Sequence, residues 1–364
     1  MDKAVYKELL EVMKSRGGAY SGADIPEFYA MVEEMFTPEE ARVNNAMPKT
    51  PFTAEQLAET MGMDKKACEE ILEGMAYRGL CRATNKADGT TFMRAPFMPG
   101  ILEFIFMSGK TTEREKKLAK LIHAYEKACD ALASGKAATP GFPTARVITV
   151  DRAINTKDTV HTFDQVQHYI DANDYIAVGT CYCRHTALLR GEDLHDMPTD
   201  VCMQFGDSAQ FTVERLGGRK ISKAEATDIL KQSEEAGLIH MSQNTADGAG
   251  FICNCDRWHC GVVARAIQSA KPALTMNSGF IPRVDPEACT ACETCIDRCP
   301  STALAMGADD VPEVNVDRCF GCAACATGCP SEAISMVHRP DFAEPPKDAM
   351  ALREAIKAAY AARK

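Results

Sequence analysis

No long apolar run occurs in this 364-residue sequence. Roughly 18 uncharged apolar positions in a row are needed to suggest a membrane-spanning helix, and no stretch approaches that. Met1 to Ser15 mix Asp2, Lys3, Lys7, Glu8, Glu11 and Lys14 among the apolar positions, so the apolar core of a secretory signal is missing too. The chain also lacks a P-loop, and no G-x-G-x-x-G follows a strand-like run. Neither ATP use nor a Rossmann nicotinamide or flavin site therefore has support. Positive charge is in deficit: 41 Lys and Arg stand against 51 Asp and Glu, a formal net charge of −10. Binding to nucleic acid rests largely on cations that neutralise phosphates, so that class of partner is disfavoured. These absences predict a soluble, cytoplasmic protein with no membrane span, whose partners are other proteins.

Cysteine is abundant. There are 17, an odd number, and most crowd into the second half at C-x-C and C-x-x-C spacings. Hydrophobic residues make up 46% and charged residues 25%, close to ordinary globular usage, so a core can form without disulfide staples. In a reducing compartment such clusters are metal or redox sites. Cys68, Cys81 and Cys129 stand apart among apolar neighbours and read as small buried hydrophobes.

The pattern along the chain predicts an α+β multidomain protein. Residues 1–100 are expected to form a winged-helix-like domain. Within them AEQLAETMG, DKKACEEILEGMAYRGL and CRATNKADGTTFMRA read as helix, helix and hairpin, with Asp88-Gly89 at the turn. The second helix carries Asp64, Glu69, Glu70 and Glu73 against Lys65, Lys66 and Arg78, which is poor for DNA readout and favours docking or dimerisation. Residues 101–143 read as a helical connector ending in the linker SGKAATPGFP. Residues 144–283 read as a small α/β cysteine-rich domain. There RVITV and YIAVG flank the helix-like DQVQHYIDAN, and a helix opens at Ser222 with Glu225 in a capping box. Residues 284–340 are the next unit, and 341–364 a terminal helix.

Cys289, Cys292, Cys295 and Cys299-Pro300 form C-x2-C-x2-C-x3-C-P, and Cys319, Cys322, Cys325 and Cys329-Pro330 repeat it 30 positions later. This doubled spacing calls for two [4Fe-4S] clusters. Three thiolates of one loop cap one cluster, and the fourth crosses over from the other half. One cluster would use Cys289, Cys292, Cys295 and Cys329, the other Cys319, Cys322, Cys325 and Cys299. Zinc gives no reason for the doubling. Over residues 284–338 the chain resembles the bacterial two-cluster ferredoxins, which implies a pseudo-symmetric fold and one-electron transfer.

Six further cysteines precede this module: Cys181, Cys183, Cys202, Cys253, Cys255 and Cys260. A C-x-C pair places two sulfurs on one side of a metal. The CxCR segment, a later cysteine in DVCMQFG, the CNC stretch and the N-terminal winged-helix-like domain together resemble a group of anaerobic-bacterial 4Fe-4S proteins. That group often carries further cysteines where this chain has Asp256, Trp258 and His259. Three readings of the six remain: a third iron–sulfur cluster, a structural zinc or dithiol, and a catalytic metal–thiolate centre. His185 and His259 are expected to be hydrogen-bonded or solvent-facing, and Arg184, Arg219 and Lys220 either lie near a cluster or on the surface. The function expected is relay of low-potential electrons to a partner such as a flavoprotein or metalloenzyme, as a homodimer or as a subunit of a complex. The alternatives are an oxidoreductase with its active site at the CxC/CNC centre, and a redox-sensing transcription factor.

Overall fold

Local rules account for the N-terminal elements. In the computed structural model, which describes residues 3–133, 142–154, 166–248, 250–340 and 343–362, three helices come first: α1 (Lys3–Arg16), α2 (Pro26–Met35) and α3 (Pro38–Ala46). Then α4 (Ala54–Met61) starts at a reciprocal Thr53/Gln56 cap, and α5 (Lys65–Tyr77) starts at Asp64, whose carboxylate accepts from Ala67 N. Such side-chain acceptors satisfy helix N–H groups that have no partner within the helix. The hairpin β1 (Arg82–Lys86) and β2 (Gly89–Met93) follows in antiparallel register around Asp88-Gly89. Helix, helix and hairpin thus occupy the residues the sequence pattern gives them, and Cys68 and Cys81 are buried. α6 (Ile101–Phe106) and α7 (Glu113–Ala133) complete the helical stretch. Most of the expected linker, residues 134–141, lies outside the described residues.

Later elements are shorter. They run β3 (Ala145–Val147), α8 (Val166–Asp171), β4 (Ile176–Gly179), α9 (Tyr182–Leu189), β5 (Cys202–Phe205), α10 (Asp207–Arg215), β6 (Arg219–Ile221) and α11 (Lys223–Glu235). β7 (Ile239–Gln243), β8 (Phe251–Cys255), α12 (Gly261–Gln268) and β9 (Phe280–Val284) lead into the doubled motif. That motif holds α13 (Thr294–Asp297), β10 (Leu304–Met306), β11 (Pro312–Val314), α14 (Ala324–Thr327) and β12 (Ile334–His338), and α15 (Ala349–Ala361) ends the chain.

The chain forms two compact units. The first comprises residues 1–137, 177–195 and 209–220, and the second 138–176, 196–208 and 221–364. Residues 144–283, expected as one α/β domain, are therefore divided. The reason lies in the first unit, where the Tyr182 hydroxyl bonds Glu126 at 3.0 Å and its ring meets Phe106. Phe104 and Phe211 pack edge to face, which holds α10 there as well.

In the second unit β3, β7, β8 and β5 are neighbours in that order. The stretch from Gly237 to Cys255 is a hairpin of β7 and β8, with Ile239 opposite Cys255 and Met241 opposite Cys253. Asp247-Gly248 supplies the turn, with Gly248 at positive φ, and the polar residues from Ser242 to Gly250 already signal it. α11 is capped by Ser222, whose Oγ accepts from Glu225 N, one half of the expected capping box.

Candidate metal centres

The doubled motif repeats in three dimensions. Ala291, Glu293 and Thr302 have positive φ, and so do their counterparts Gly321, Ala323 and Glu332. Runs of such residues turn successive backbone N–H groups inward and make concavities suited to anionic groups, iron–sulfur clusters among them. Each half leans on the other: Asp285 N donates to Ala333 O at 2.8 Å, and Asn315 N to Ala303 O at 2.7 Å. Antiparallel pairing of β9 with β12 reinforces this exchange. The end of each loop, where the fourth cysteine sits, is thereby delivered to the beginning of the other.

Two cavities result. Cys289, Cys292, Cys295 and Cys329 line the first, and Cys299, Cys319, Cys322 and Cys325 the second. In both, three thiols come from one loop and one from the other, which suits a cubane needing four thiolates. Glycine is required at 321, where a Cβ would overlap Ser278 Oγ and Phe280 O. Its carbonyl accepts from both Thr149 Oγ1 and Ser278 Oγ at 2.8 Å.

The cavities differ in exposure. In the first cavity Cys292 is exposed, Cys289 and Cys329 are half-buried and Cys295 is buried, its thiol raised by that burial; in the second Cys299, Cys319 and Cys325 are buried and Cys322 half-buried. Hydrogen bonding at Thr294, whose Oγ1 is 3.4 Å from Cys292 Sγ, holds the Cys292 thiol below its ordinary range. Burial does the opposite in the second cavity. It pushes Cys319 up to about 11, Cys322 to about 12 and Cys325 well above the ordinary range. A buried thiolate needs a compensating cation, and a bound metal supplies one.

The six earlier cysteines fall into two groups. Cys181 is the N-cap of α9 and Cys183 lies in its first turn, both half-buried and both in the first unit. Cys202 opens β5, Cys253 and Cys255 lie on β8, and Cys260 caps α12. These four belong to the second unit. There they form a run of touching thiols: hydrogen bonding with Cys202, then burial, raises Cys253, and hydrogen bonding with Cys253 and Cys260, then burial, raises Cys255. Among the described residues no three His, Cys, Asp or Glu side chains converge on the position of a single ion.

Neighbouring polar groups are buried and engaged. His185 Nε2 is 2.8 Å from Lys110 O. His259 Nδ1 is 3.1 Å from the buried Asp256 carboxylate, which also accepts from the backbone N–H of Trp258 and His259. Both histidines are hydrogen-bonded, one of the two states expected of them. Arg184 is fully buried rather than on the surface. Sequence reasoning overlooked Asn254, His240 and Arg257. The C-N-C spelling itself was the available signal for Asn254, since a polar residue between two cysteines of a buried strand must find partners.

Residues 281–330 match the family model of the 4Fe-4S dicluster domain. No curated protein and no solved structure matches the chain. The match spans both cysteine loops of the dicluster domain and ends at Pro330. It supports binding of 4Fe-4S clusters and, with the many cysteines, an iron–sulfur electron-transfer role. Among the described residues no helix is long and apolar enough to cross a membrane.

Proposed function

We propose that this protein is a cytoplasmic electron carrier, or a subunit of an oxidoreductase complex, that relays low-potential electrons to a partner protein. It would do so through two [4Fe-4S] clusters and a third metal centre at the middle cysteines. Cys289, Cys292, Cys295 and Cys329 would hold one cluster, and Cys319, Cys322, Cys325 and Cys299 the other. The observation that carries this reading is the crossed lining of the two cavities by four thiols each. A [4Fe-4S] cluster exchanges one electron at a time at a potential set by hydrogen bonds to sulfur, charge and exposure. The chain contributes the thiolates, the inward N–H groups and, at Cys292, an exposed edge from which a partner can take or give an electron.

The third centre would draw on Cys202, Cys253, Cys255 and Cys260, which share the second unit, whereas Cys181 and Cys183 lie in the first. We favour an iron–sulfur cluster there over zinc because Arg257, between Cys255 and Cys260, bonds the carbonyl of Cys299, beside a ligand of the second cluster. A second reading, catalysis at this centre, is favoured by the buried Asp256–His259 pair, a carboxylate-oriented imidazole of the kind used in proton transfer.

The N-terminal helix–helix–hairpin is read as a winged-helix-like docking or dimerisation module. The cations of α5 and its C-cap are engaged by carboxylates: Lys65 by Glu55, Lys66 by Glu70 and Arg78 by Glu40. This pairing leaves little positive charge for phosphates.

The test is EPR during anaerobic reduction by a low-potential reductant. The proposal expects the signals of two magnetically interacting reduced clusters. A protein with full iron content but no reducible low-potential signal would refute electron transfer as its role.

A further inference from the structure

β5 and β8 pair through Met203 with Ile252 and Gln204 with Phe251. Continued by one rung, that register sets Cys202 opposite Cys253, and by a second, Val201 opposite Asn254. The second rung is made by a side chain: Asn254 Nδ2 donates to Val201 O at 2.6 Å. Side chains alternate between faces of a strand. Cys253 and Cys255 therefore share one face of β8, and Asn254 projects from the other.

On that other face Asn254 stands directly opposite His240 of β7, and both are buried. His240 Nδ1 donates to Asn254 Oδ1 at 2.6 Å, which fixes the amide with its nitrogen toward Val201. His240 Nε2 in turn lies 3.5 Å from Glu234 Oε1, and Glu234 is held by Arg152 at 2.9 Å. A backbone carbonyl can only accept, so the amide orientation and the Nδ1–H of His240 follow from donor and acceptor chemistry.

We infer that Asn254 is a positioning residue for the third centre. Its side-chain rung pins the ends of β5 and β8 where Cys202 and Cys253 face each other, and the Nδ1–H of His240 orients its amide. This rests on the reading of the middle thiols as a metal centre. Without the rung β8 stays paired with β7, but the bond that ties β8 to Val201, just before β5, is lost, and the spacing of Cys202 from Cys253 and Cys255 can widen. Groups that orient metal ligands from behind typically change metal affinity about 10–100-fold when removed.

The experiment is anaerobic reconstitution of the full chain, with chelator competition for the metal bound beyond the two dicluster clusters. The dicluster EPR signals serve as an internal measure of folding. Asn254→Ala should weaken the extra metal about 10–100-fold while those signals stay unchanged. His240→Asn, which keeps a donor where Nδ1 stands, should bind close to wild type, and His240→Leu should fall with Asn254→Ala. Wild-type affinity in Asn254→Ala would overturn the inference, as would equal losses in the two His240 variants. A wild type with no metal beyond the two clusters would overturn the third-centre reading, and the inference with it.

Discussion

Arg257 Nη1 donates to the carbonyl of Cys299 at 3.3 Å. One residue thus joins the loop between Cys255 and Cys260 to a thiol that lines the second dicluster cavity. The same guanidinium lies over the exposed Trp258 ring at 5.9 Å. A cation there stabilises whichever state carries more negative charge, and for an iron–sulfur cluster that is the reduced one. Arg257→Gln should make the potential of the second cluster more negative by about 30 mV, somewhat under about 1 kcal/mol for one electron at a partly exposed group. EPR-monitored redox titration measures this, and an equal shift in both clusters would show that the effect is not local.

Crossed ligation makes a prediction that separates the two cavities. In Cys329→Ser the first cluster should be the labile one. Alkylation after mild oxidation should then label Cys289, Cys292 and Cys295, while Cys299, Cys319, Cys322 and Cys325 stay protected. Labelling of Cys319, Cys322 and Cys325 instead would mean that each half holds its own cluster without exchange.

A single methyl group should be unfavourable in both loops, and more so at position 321. Gly321→Ala places a Cβ against Ser278 Oγ and Phe280 O at a φ of +70°, and should cost roughly 2 kcal/mol or more, read as a lower unfolding midpoint. Ala291→Gly, at the equivalent position with φ of +53°, should gain about 1 kcal/mol by removing left-handed strain. Equal effects at both positions would deny the difference in packing around the loops.

The N-terminal module should not bind DNA. Fluorescence anisotropy with random duplex at low salt should show no saturable binding, and retention that falls steeply with salt would instead reveal a phosphate-binding face.

Much of this was legible in the sequence because the determinants are local. Spacing alone specifies the cysteine loops, and Thr53, Asp64, Asp88-Gly89 and Ser222 mark their own caps and turn. What escaped was non-local. Nothing in residues 177–195 announces that Tyr182 packs on Phe106 and carries the CxCR segment into the first unit. The partners of Asn254, His240 and Val201, lie 14 and 53 residues away. The sequence left Arg184 open between a cluster and the surface, because burial of a guanidinium is a property of its surroundings, not of its neighbours in sequence.

The central claim is tested most directly by iron and acid-labile sulfide per chain in anaerobically purified protein, wild type beside Cys253→Ser/Cys255→Ser. About eight irons and eight sulfides from the dicluster domain are expected in both proteins. Additional metal is expected in the wild type that the double variant loses. Fewer than about eight irons in fully reconstituted wild type would contradict the two-cluster assignment on which the rest depends.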